Sequence, residues 1–433
     1  MAKLDTGPPR GTRDLFPDAV AKREAVISRL ADSYARFGFR RIETPALEDI
    51  SRLSWGEGGD NEKLIYRVMR RGLDPVLADG TNVSGLADLG LRYDLTVPLT
   101  RFYANNQGRL PSPFRAMQIG PVWRAERPQK GRYRQFTQCD IDTIGEPSVI
   151  AEAELLEGTL AALAAIGVAP VRVRLNDRRL LAAIATEAGV PAEATGTFLV
   201  VLDKLDKIGW EGVKAELAGR GFGAQVGERC EGTVGLLSAG GDPSSILERA
   251  ADLLPGLERD VIDGLATTTE SLGRLRQDAV KAAENGTTQE SFSWAVDPTI
   301  VRGMGYYTGQ IFEVEHPEVN GSVAGGGRYD GLVGRSLGKE VPACGISIGF
   351  DRVVDLAVVP PPDLGVALLY ARDAVPAPDV LAAARRLRSG SRAVALVPRR
   401  GQMRVQLDAL KEDGYSSFVL MENGSPGEER PLR

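Results

Sequence analysis

A short basic stretch, Trp123 to Gln138, combines residue types that bind anions. Its sequence, WRAERPQKGRYRQFTQ, sets five cations against one acid in a chain whose formal net charge is −5. Like charges held together on a turn repel one another until an anion neutralises them. Taken alone, the stretch would also fit an ordinary solvated loop. The cations are Arg124, Arg127, Lys130, Arg132 and Arg134, and the acid is Glu126.

Three later segments place an arginine among glycines. Arg302 occurs in VRGMGYYTGQIFEVE, Arg328 in AGGGRYDGL and Arg352 in ACGISIGFDRV. Glycine lets a backbone approach a ligand closely, while a guanidinium group meets the charge of that ligand. For each segment alone, the alternative is a glycine turn beside a solvated arginine. Together with the basic stretch, the segments favour a binding site for an anion.

The composition removes several other chemistries. Because His316 is the single histidine, Ser-His-Asp and Cys-His nucleophile systems have one available base, and histidine-rich metal sites lack ligands. The nearest stretch to a phosphate-binding P-loop, GRSLGKE, has the wrong glycine spacing and a glutamate in place of the hydroxyl residue. Catalysis is therefore expected to depend on charge and positioning.

The size and cysteine content are typical of a globular protein from a reducing compartment. The chain has 433 residues, 43% hydrophobic and 26% charged, which allows two or three domains. Cys139, Cys230 and Cys344 form neither a disulfide framework nor a CxxC pattern. No signal-peptide core or run of roughly 18 apolar residues occurs. We therefore expect a cytoplasmic location.

The elements that must position these residues follow an α/β pattern. Residues 19–37 repeat apolar side chains at helical spacing, and FRRIETPALED is then predicted as a strand with Pro45 at an edge or bulge. LRYDLTVPLTRF, residues 91–102, alternates as a strand does. FRAMQIGPVWRAE and YRQFTQCDIDTIG are predicted as strands on either side of the basic stretch, which makes that stretch a hairpin loop.

Helices dominate the middle of the chain. Residues 149–167 are predicted as a helix, VRVRLNDRRLLAAI as strand, turn and helix, and approximately 178–290 as a mostly helical insertion. Strands resume at SFSWAVDPTIVRG. The proline-rich residues 358–365 are predicted as a linker, which divides the chain into domains 1–362 and 363–433.

These motifs resemble the class II aminoacyl-tRNA synthetases and, within them, the histidyl-tRNA synthetase family. GPVWRAERPQKGRYRQF resembles the second class motif, GISIGFDRV the third, and the first helix with the Pro45 strand the first, which builds the dimer interface in the family. VRGMGYYTG and AGGGRYDGL resemble segments peculiar to the histidine enzymes. The resemblance implies an α/β (α+β) fold, with an antiparallel sheet flanked by helices, a helical insertion and a small C-terminal α/β domain.

The activity implied by the resemblance is ATP-dependent attachment of histidine to tRNA(His) through histidyl-adenylate. The substrate's own carboxylate is the nucleophile and is already ionised at neutral pH, so no protein base has to create it. Arg124 is then expected at the α-phosphate, Glu126 near the adenine and Arg352 at the outer phosphates, with Mg²⁺ accompanying ATP. Arg302 resembles the family's catalytic arginine, placed where other class II enzymes use a metal ion, and no protein motif for a metal was found.

Histidine recognition is likewise implied by resemblance. The ring is expected to contact an acid and a phenol, which suit an imidazole that donates at one nitrogen and is held at the other. The alternative for Asp94 and Asp142 is a solvated carboxylate at a strand end. The ammonium ligands are then Asp94, Thr96 and Gln138, and the ring contacts are Asp142 and Tyr307, with Tyr306 beside it.

The C-terminal domain resembles an anticodon-binding domain that has been shortened. From Asp363 onward it has 11 positive and 9 negative side chains, whereas the rest of the chain has 42 and 49. A basic face on an acidic protein suits a tRNA stem. Gln129, Arg132, Arg399 and Arg400 are the candidate tRNA contacts. A further departure from many relatives is Gly305, which stands where they have Asp.

Two alternative functions keep the same fold. A regulatory paralogue paired with ATP phosphoribosyltransferase would lack the catalytic arginines and the C-terminal domain, both of which are present in this sequence. A tRNA-independent amino-acid activating enzyme would form the adenylate without needing an anticodon domain, and the shortened C-terminal segment is compatible with it.

Overall fold

Two compact units make up the chain. One contains Met1–Asp14 and Val26–Val358, and the other contains Leu15–Ala25 and Val359–Arg433. This computed structural model describes residues 6–54, 64–70, 86–127, 132–239, 241–284, 292–302, 306–360, 363–389, 392–422 and 424–432.

The first unit is built on strands that form a large sheet and a small one. Its strands are β1 (Arg40–Arg41), β2 (Leu47–Asp49), β3 (Arg67–Met69), β4 (Ala87–Leu91), β5 (Phe114–Trp123), β6 (Gln135–Ile144), β7 (Val171–Asp177), β8 (Phe292–Val296), β9 (Gln310–Glu315), β10 (Ser322–Arg328) and β11 (Ala343–Gly349).

The large sheet is mainly antiparallel. Among the described residues its order is β1-β5-β6-β11-β10-β9-β7-β8, while β2, β4 and β3 form the small sheet. The outer pairs, β1 with β5 and β7 with β8, run parallel, and the other pairs described in this sheet are antiparallel. The hairpin predicted around the basic stretch is confirmed, because β5 and β6 pair from Phe114 opposite Ile144 to Trp123 opposite Gln135.

Helices accompany these strands, and half of those in the described residues lie between β7 and β8 along the chain. Residues 178–290, predicted as a mostly helical insertion, contain six α-helices between Arg178 and Glu284 among the described residues. The helices are α1 (Pro17–Arg36), α2 (Ile50–Leu53), α3 (Thr96–Asn106), α4 (Ile150–Ala165), α5 (Arg178–Glu187), α6 (Thr195–Leu202), α7 (Leu205–Gly219), α8 (Ala224–Ser238), α9 (Pro243–Leu253), α10 (Arg259–Glu284), α11 (Asp330–Leu337) and α12 (Phe350–Leu356).

The strand predicted over residues 91–102 is wrong. β4 ends at Leu91, and α3 begins at Thr96. The Asp94 carboxylate accepts the backbone N–H of Val97 at 3.0 Å, which satisfies one donor of the first helical turn. Helix α3 then buries Leu99 in a cluster with Phe114. A local polar contact and tertiary packing therefore overrule the apolar alternation.

Two short strands replace the single one predicted around Pro45. β1 ends at Arg41 and β2 begins at Leu47, so the proline lies between them. This position agrees with the inability of proline to donate a hydrogen bond to a strand ladder.

The second unit contains a separate α/β sheet. β12, β13 and β14 run parallel in the order β13-β12-β14, and β15 pairs antiparallel with β14. Alternate residues of β12 enter two cores: Val366 and Leu368 pack with α13, and Ala367 and Leu369 with α14. The elements are β12 (Val366–Tyr370), α13 (Ala377–Arg388), β13 (Val394–Pro398), α14 (Met403–Glu412), β14 (Ser417–Glu422) and β15 (Ser425–Pro431).

None of the helices in the described part of the chain is both long and apolar enough to cross a membrane.

Candidate functional site

Polar residues and a glycine follow one line across the large sheet. Residues directly opposite each other on neighbouring strands share a face. The line is continuous from β5 to β7, and at β10 it has a glycine, which leaves room for a side chain from elsewhere. In order it contains Gln118, Asp140, Ser347, Gly325, Glu313 and Arg174.

Arg302 fills the space over the glycine. A Cβ on Gly325 would lie 2.9 Å from the guanidinium carbon of Arg302. The Arg302 guanidinium pairs with Glu313 and hydrogen bonds the Ser322 hydroxyl. Arg174 lies 3.6 Å from the other oxygen of Glu313. Arg302 is thus held by residues of two adjacent strands, β9 and β10, while its side chain remains 33% exposed.

Glu313 is ionised within this network. Burial acts to raise its pKa, but the charge and hydrogen bond of Arg302 outweigh that effect, so the pKa lies below its ordinary value. The carboxylate therefore holds the Arg302 guanidinium in place as an ionised partner.

Arg132, Arg302 and Arg352 form an arginine region, in which the charges of the first two act on the third. The Arg352 guanidinium donates to the backbone carbonyl of Ser322, beside Arg302. Burial and the positive charges of Arg302 and Arg132 lower the pKa of Arg352. Arg132 also forms an ion pair with Glu126. Mutual repulsion of this kind stabilises a bound polyanion, since the anion removes an unfavourable interaction that exists without it.

Arg124 is oriented by the segment between β4 and α3 and by β6. Its Nε donates to the carbonyl of Tyr93 at 3.0 Å, and its guanidinium lies 5.0 Å from the ring centroid of Phe136. The positive charge also acts on Asp94, where it opposes the effect of burial on the carboxyl pKa. The charge of Arg124 therefore acts on a group of buried acids that includes Asp94 and Asp140.

The acidic pocket lies on the same face of the sheet. Asp142 accepts a hydrogen bond from the Tyr329 hydroxyl at 2.6 Å. A Cβ on Gly345, the cross-strand neighbour of Asp142, would overlap this carboxylate. Burial raises the pKa of Asp142 to about 7, although the Tyr329 hydrogen bond acts in the opposite direction. Glycine on β11 therefore makes room for a buried acid.

Asp94 and two tyrosines complete the pocket. The Asp94 carboxylate is 6% exposed, and the backbone N–H groups of Thr96 and Val97 both face it. Tyr306 and Tyr307 make an edge contact with ring centroids 4.7 Å apart, and Tyr306 makes another with Tyr329 at 6.3 Å. Burial and the charge of Asp94 raise the pKa of Tyr306. Uncharged phenols beside carboxylates suit a ligand that carries both a ring and a positive charge.

Arg328 does not belong to the arginine region, contrary to the prediction from its glycine-rich segment. Its guanidinium makes two hydrogen bonds of 2.7 Å to Glu152 on α4. It also donates to the carbonyls of Glu146 and Ser148. A guanidinium satisfied in this way supports the fold and has little charge left for a ligand.

Three residues of the site were missed by the sequence prediction: Asp140, Glu313 and Tyr329. Asp140 lies two residues from both Gln138 and Asp142, and strand periodicity was a signal that all three share a face. Gln129, Gly303 and Gly305 lie outside the described residues.

The antiparallel sheet, with arginines above its glycine strand and an acidic pocket beside them, defines a class II aminoacyl-tRNA synthetase fold. A family model described as histidyl-tRNA synthetase matches residues 11–353, and the chain belongs to this family. It is 44% identical to the histidine–tRNA ligase of Leifsonia xyli subsp. xyli, over 97% of this chain and 96% of that one. It is 38% identical to that of Aeropyrum pernix, over 94% and 86% of the two chains.

Solved structures agree in fold. The histidyl-tRNA synthetase of Nostoc sp. PCC 7120 superposes with a TM-score of 0.74 and 25% identity, covering 96% of this chain and 91% of that one. An ATP phosphoribosyltransferase regulatory subunit/histidyl-tRNA synthetase from Bacillus halodurans C gives a TM-score of 0.71, with 96% and 98% coverage. At 19% identity, the second likeness concerns the fold alone.

Proposed function

We propose that this protein is a histidine–tRNA ligase that uses ATP to attach histidine to tRNA(His) through histidyl-adenylate. The supporting observation is that one sheet face joins an acidic pocket, centred on Asp142, to the arginine region around Arg302. The pocket suits the ammonium and ring of histidine, and the arginines suit the phosphates of ATP.

In the first step, a carboxylate oxygen of histidine attacks the α-phosphorus of ATP. The bond from that phosphorus to the pyrophosphate oxygen breaks, and pyrophosphate leaves with its electron pair. Arg302 and Arg124 stabilise the charge that develops on the α-phosphate, because preorganised donors act most strongly in the transition state. Arg352 binds the outer phosphates, Glu126 contacts the adenine, and Mg²⁺ enters with the ATP phosphates.

In the second step, a hydroxyl oxygen of the terminal tRNA adenosine attacks the activated carbonyl carbon. The bond from that carbon to the phosphate oxygen breaks, and AMP leaves and takes up the hydroxyl proton. Histidine is held by its ammonium at Asp94, Thr96 and Gln138. Its ring lies at Asp142 and Tyr307, with Tyr306 beside it. Gln129 and Arg132 are the proposed contacts for the tRNA end.

The function is tested by histidine-dependent exchange of pyrophosphate into ATP, followed by charging of purified tRNA(His). Exchange and charging are both expected. Exchange without charging would favour the tRNA-independent activating enzyme. The absence of both reactions would favour the regulatory paralogue. Retention of Arg124, Arg302 and Arg352 in one site argues against the paralogue.

We further propose a homodimer built through α1 and the Pro45 segment, and a cytoplasmic location. Size-exclusion chromatography with light scattering measures the first, and a twofold mass is the expected result.

Residues 1–362 are proposed as the catalytic domain and residues 363–433 as the tRNA-binding domain. The arginines between Arg385 and Arg404 fall into two groups. Arg388 donates to the carbonyl of Val394, and Arg392 makes hydrogen bonds of 2.7 and 2.5 Å to Glu429. In the described part of this segment, the side chains without such partners are Arg385, Arg386, Arg399, Arg400 and Arg404, all exposed.

Replacing Arg399 and Arg400 with alanine is expected to weaken tRNA(His) binding by about 10-fold at low salt. The logarithmic dependence of affinity on salt should flatten by about 0.7 to 0.9 for each phosphate group that the variant no longer neutralises. Filter binding across a salt series measures both quantities, and pyrophosphate exchange should stay at the parent rate.

Arg430→Ala is the matched control, because Arg430 is an exposed arginine on the opposite edge strand of the same sheet. It should leave the salt dependence unchanged. Equal effects of the two changes would indicate general electrostatics rather than a tRNA surface at the β13 edge.

A further inference from the structure

Strand β6 presents a row of buried acceptor atoms that have no donor. Gln138, Asp140 and Asp142 alternate along one face of this strand and are each at most 8% exposed. In each side chain, one oxygen lacks a hydrogen-bond partner among the described residues: Oε1 of Gln138, Oδ1 of Asp140 and Oδ2 of Asp142. Buried polar atoms are rarely left unpaired, so three in a row point to a ligand rich in N–H donors.

The neighbours of Asp140 are already engaged. Across β5, the Gln118 amide donates to the carbonyl of Leu95 at 2.9 Å and accepts from the Thr44 hydroxyl at 3.2 Å. Across β11, the Ser347 hydroxyl accepts from the Gln138 amide at 2.9 Å and is hydrogen bonded to the Asp140 carboxylate. Ser347 therefore links Gln138 to Asp140, and no flanking side chain on β5 or β11 serves the second oxygen of Asp140.

The electrostatic setting of Asp140 is unfavourable without a further positive group. The carboxylate is 3% exposed. Burial and the negative charges of Asp142 and Asp94 raise its pKa well above the ordinary value, and the Ser347 hydrogen bond and the positive charges of Arg124 and Arg92 do not offset them. A buried acid of this kind costs free energy unless a positive group meets it.

We propose that Asp140 binds the α-ammonium group of the histidine substrate, together with Asp94 and Gln138. This inference rests on the proposed function and deepens it. An ammonium has three N–H donors, whereas a neutral imidazole has one. Asp142 provides the acceptor for the ring, so the remaining charged acceptor on β6 is matched to the ammonium. The Ser347 link places Asp140 with Gln138 at the ammonium end of the pocket.

Two analogues separate the ammonium from the ring. Histidinol retains both groups, and 3-(imidazol-4-yl)propan-1-ol is histidinol without its amino group. Asp140→Asn should weaken histidinol binding by about 10- to 100-fold in calorimetry. Affinity for the amine-free analogue should stay within about twofold of the parent. Since the change removes a carboxyl group whose ionisation is disfavoured by burial and by two neighbouring acids, the ligand-free melting temperature should equal or exceed that of the parent.

Cys139→Ala is the matched control, because Cys139 is buried one residue away on the opposite face of β6. It should leave histidinol affinity unchanged. Asp140→Ser provides a second neutral variant and should show the same selective loss as Asp140→Asn.

Several outcomes would overturn the proposal. These are histidinol affinity within about twofold of the parent in the Asp140 variants, equal losses for both analogues, or failure of both variants to fold, which would assign Asp140 a structural role. A parent protein that neither binds histidinol nor exchanges pyrophosphate would instead refute the proposed function. Normal parent activity with an unaffected Asp140→Asn would refute this inference alone.

Discussion

Replacing Arg302 with alanine is expected to lower the rate of histidyl-adenylate formation by roughly 10²-fold or more, with a smaller effect on ATP binding. The guanidinium is fixed over Gly325 by Glu313 and Ser322 before any ligand arrives. Its contribution should therefore appear as charge builds on the α-phosphate. Single-turnover adenylate formation measures the rate, and equilibrium binding of ATP measures the ground state.

Three further variants make this test specific. Arg302→Lys should restore little of the lost rate of adenylate formation, because lysine lacks the planar fork of the guanidinium. Gly325→Ala leaves the charge but places a Cβ against Arg302, so it should also slow the reaction. Arg259→Ala removes an exposed arginine that pairs with Asp263, one turn along α10, and should react at the parent rate. Parent-like activity of Arg302→Ala would contradict the assigned role.

Periodic patterns in the sequence predicted the elements whose structure depends mainly on residues close together along the chain. Alternation on both sides of Arg124 predicted the β5–β6 hairpin, because successive side chains of a strand point to opposite faces of the sheet. In β6 both faces are covered, since every residue from Gln138 to Ile144 is buried. Residues 91–102 also alternate, but Asp94 satisfies a backbone donor of α3 and Leu99 packs against Phe114. The helix depends on a contact between distant segments, which alternation cannot report.

Contacts between distant segments also distinguish Arg302 from Arg328. Both arginines stand beside glycines, so their sequence settings are alike. Arg328 meets Glu152, which is 176 positions away along the chain, and this partner fixes it as a structural residue. Arg302 meets Glu313 but remains one-third exposed. Whether an arginine is free to bind a ligand depends on its tertiary partner and not on its neighbours in sequence.

Replacing Asp142 with asparagine should weaken histidine binding by about 10- to 100-fold and leave ATP binding nearly unchanged. The Tyr329 hydroxyl already donates to Oδ1 of Asp142, so Oδ2 is the oxygen available to a ring N–H. Asparagine keeps the shape but removes the charge and one acceptor. Calorimetric titration with each substrate separately measures the two affinities. Equal losses for histidine and ATP would indicate a structural role instead.

The same variant tests the ionisation of the pocket. Burial raises the pKa of Asp142 to about 7, above the ordinary value of 3.8 that applies in the unfolded chain. Between these values the folded protein holds a proton that the unfolded chain releases, so this group lowers the free energy of unfolding as pH rises. Asp142→Asn lacks that loss. Its melting temperature, relative to the parent, should therefore increase between about pH 4 and 7 and level off above.

Tyr329→Phe removes a hydrogen bond that lowers the Asp142 pKa, so it should move the upper end of this window to higher pH. A difference that does not vary with pH would contradict the raised pKa and, with it, the burial that makes this acid selective for a ring N–H.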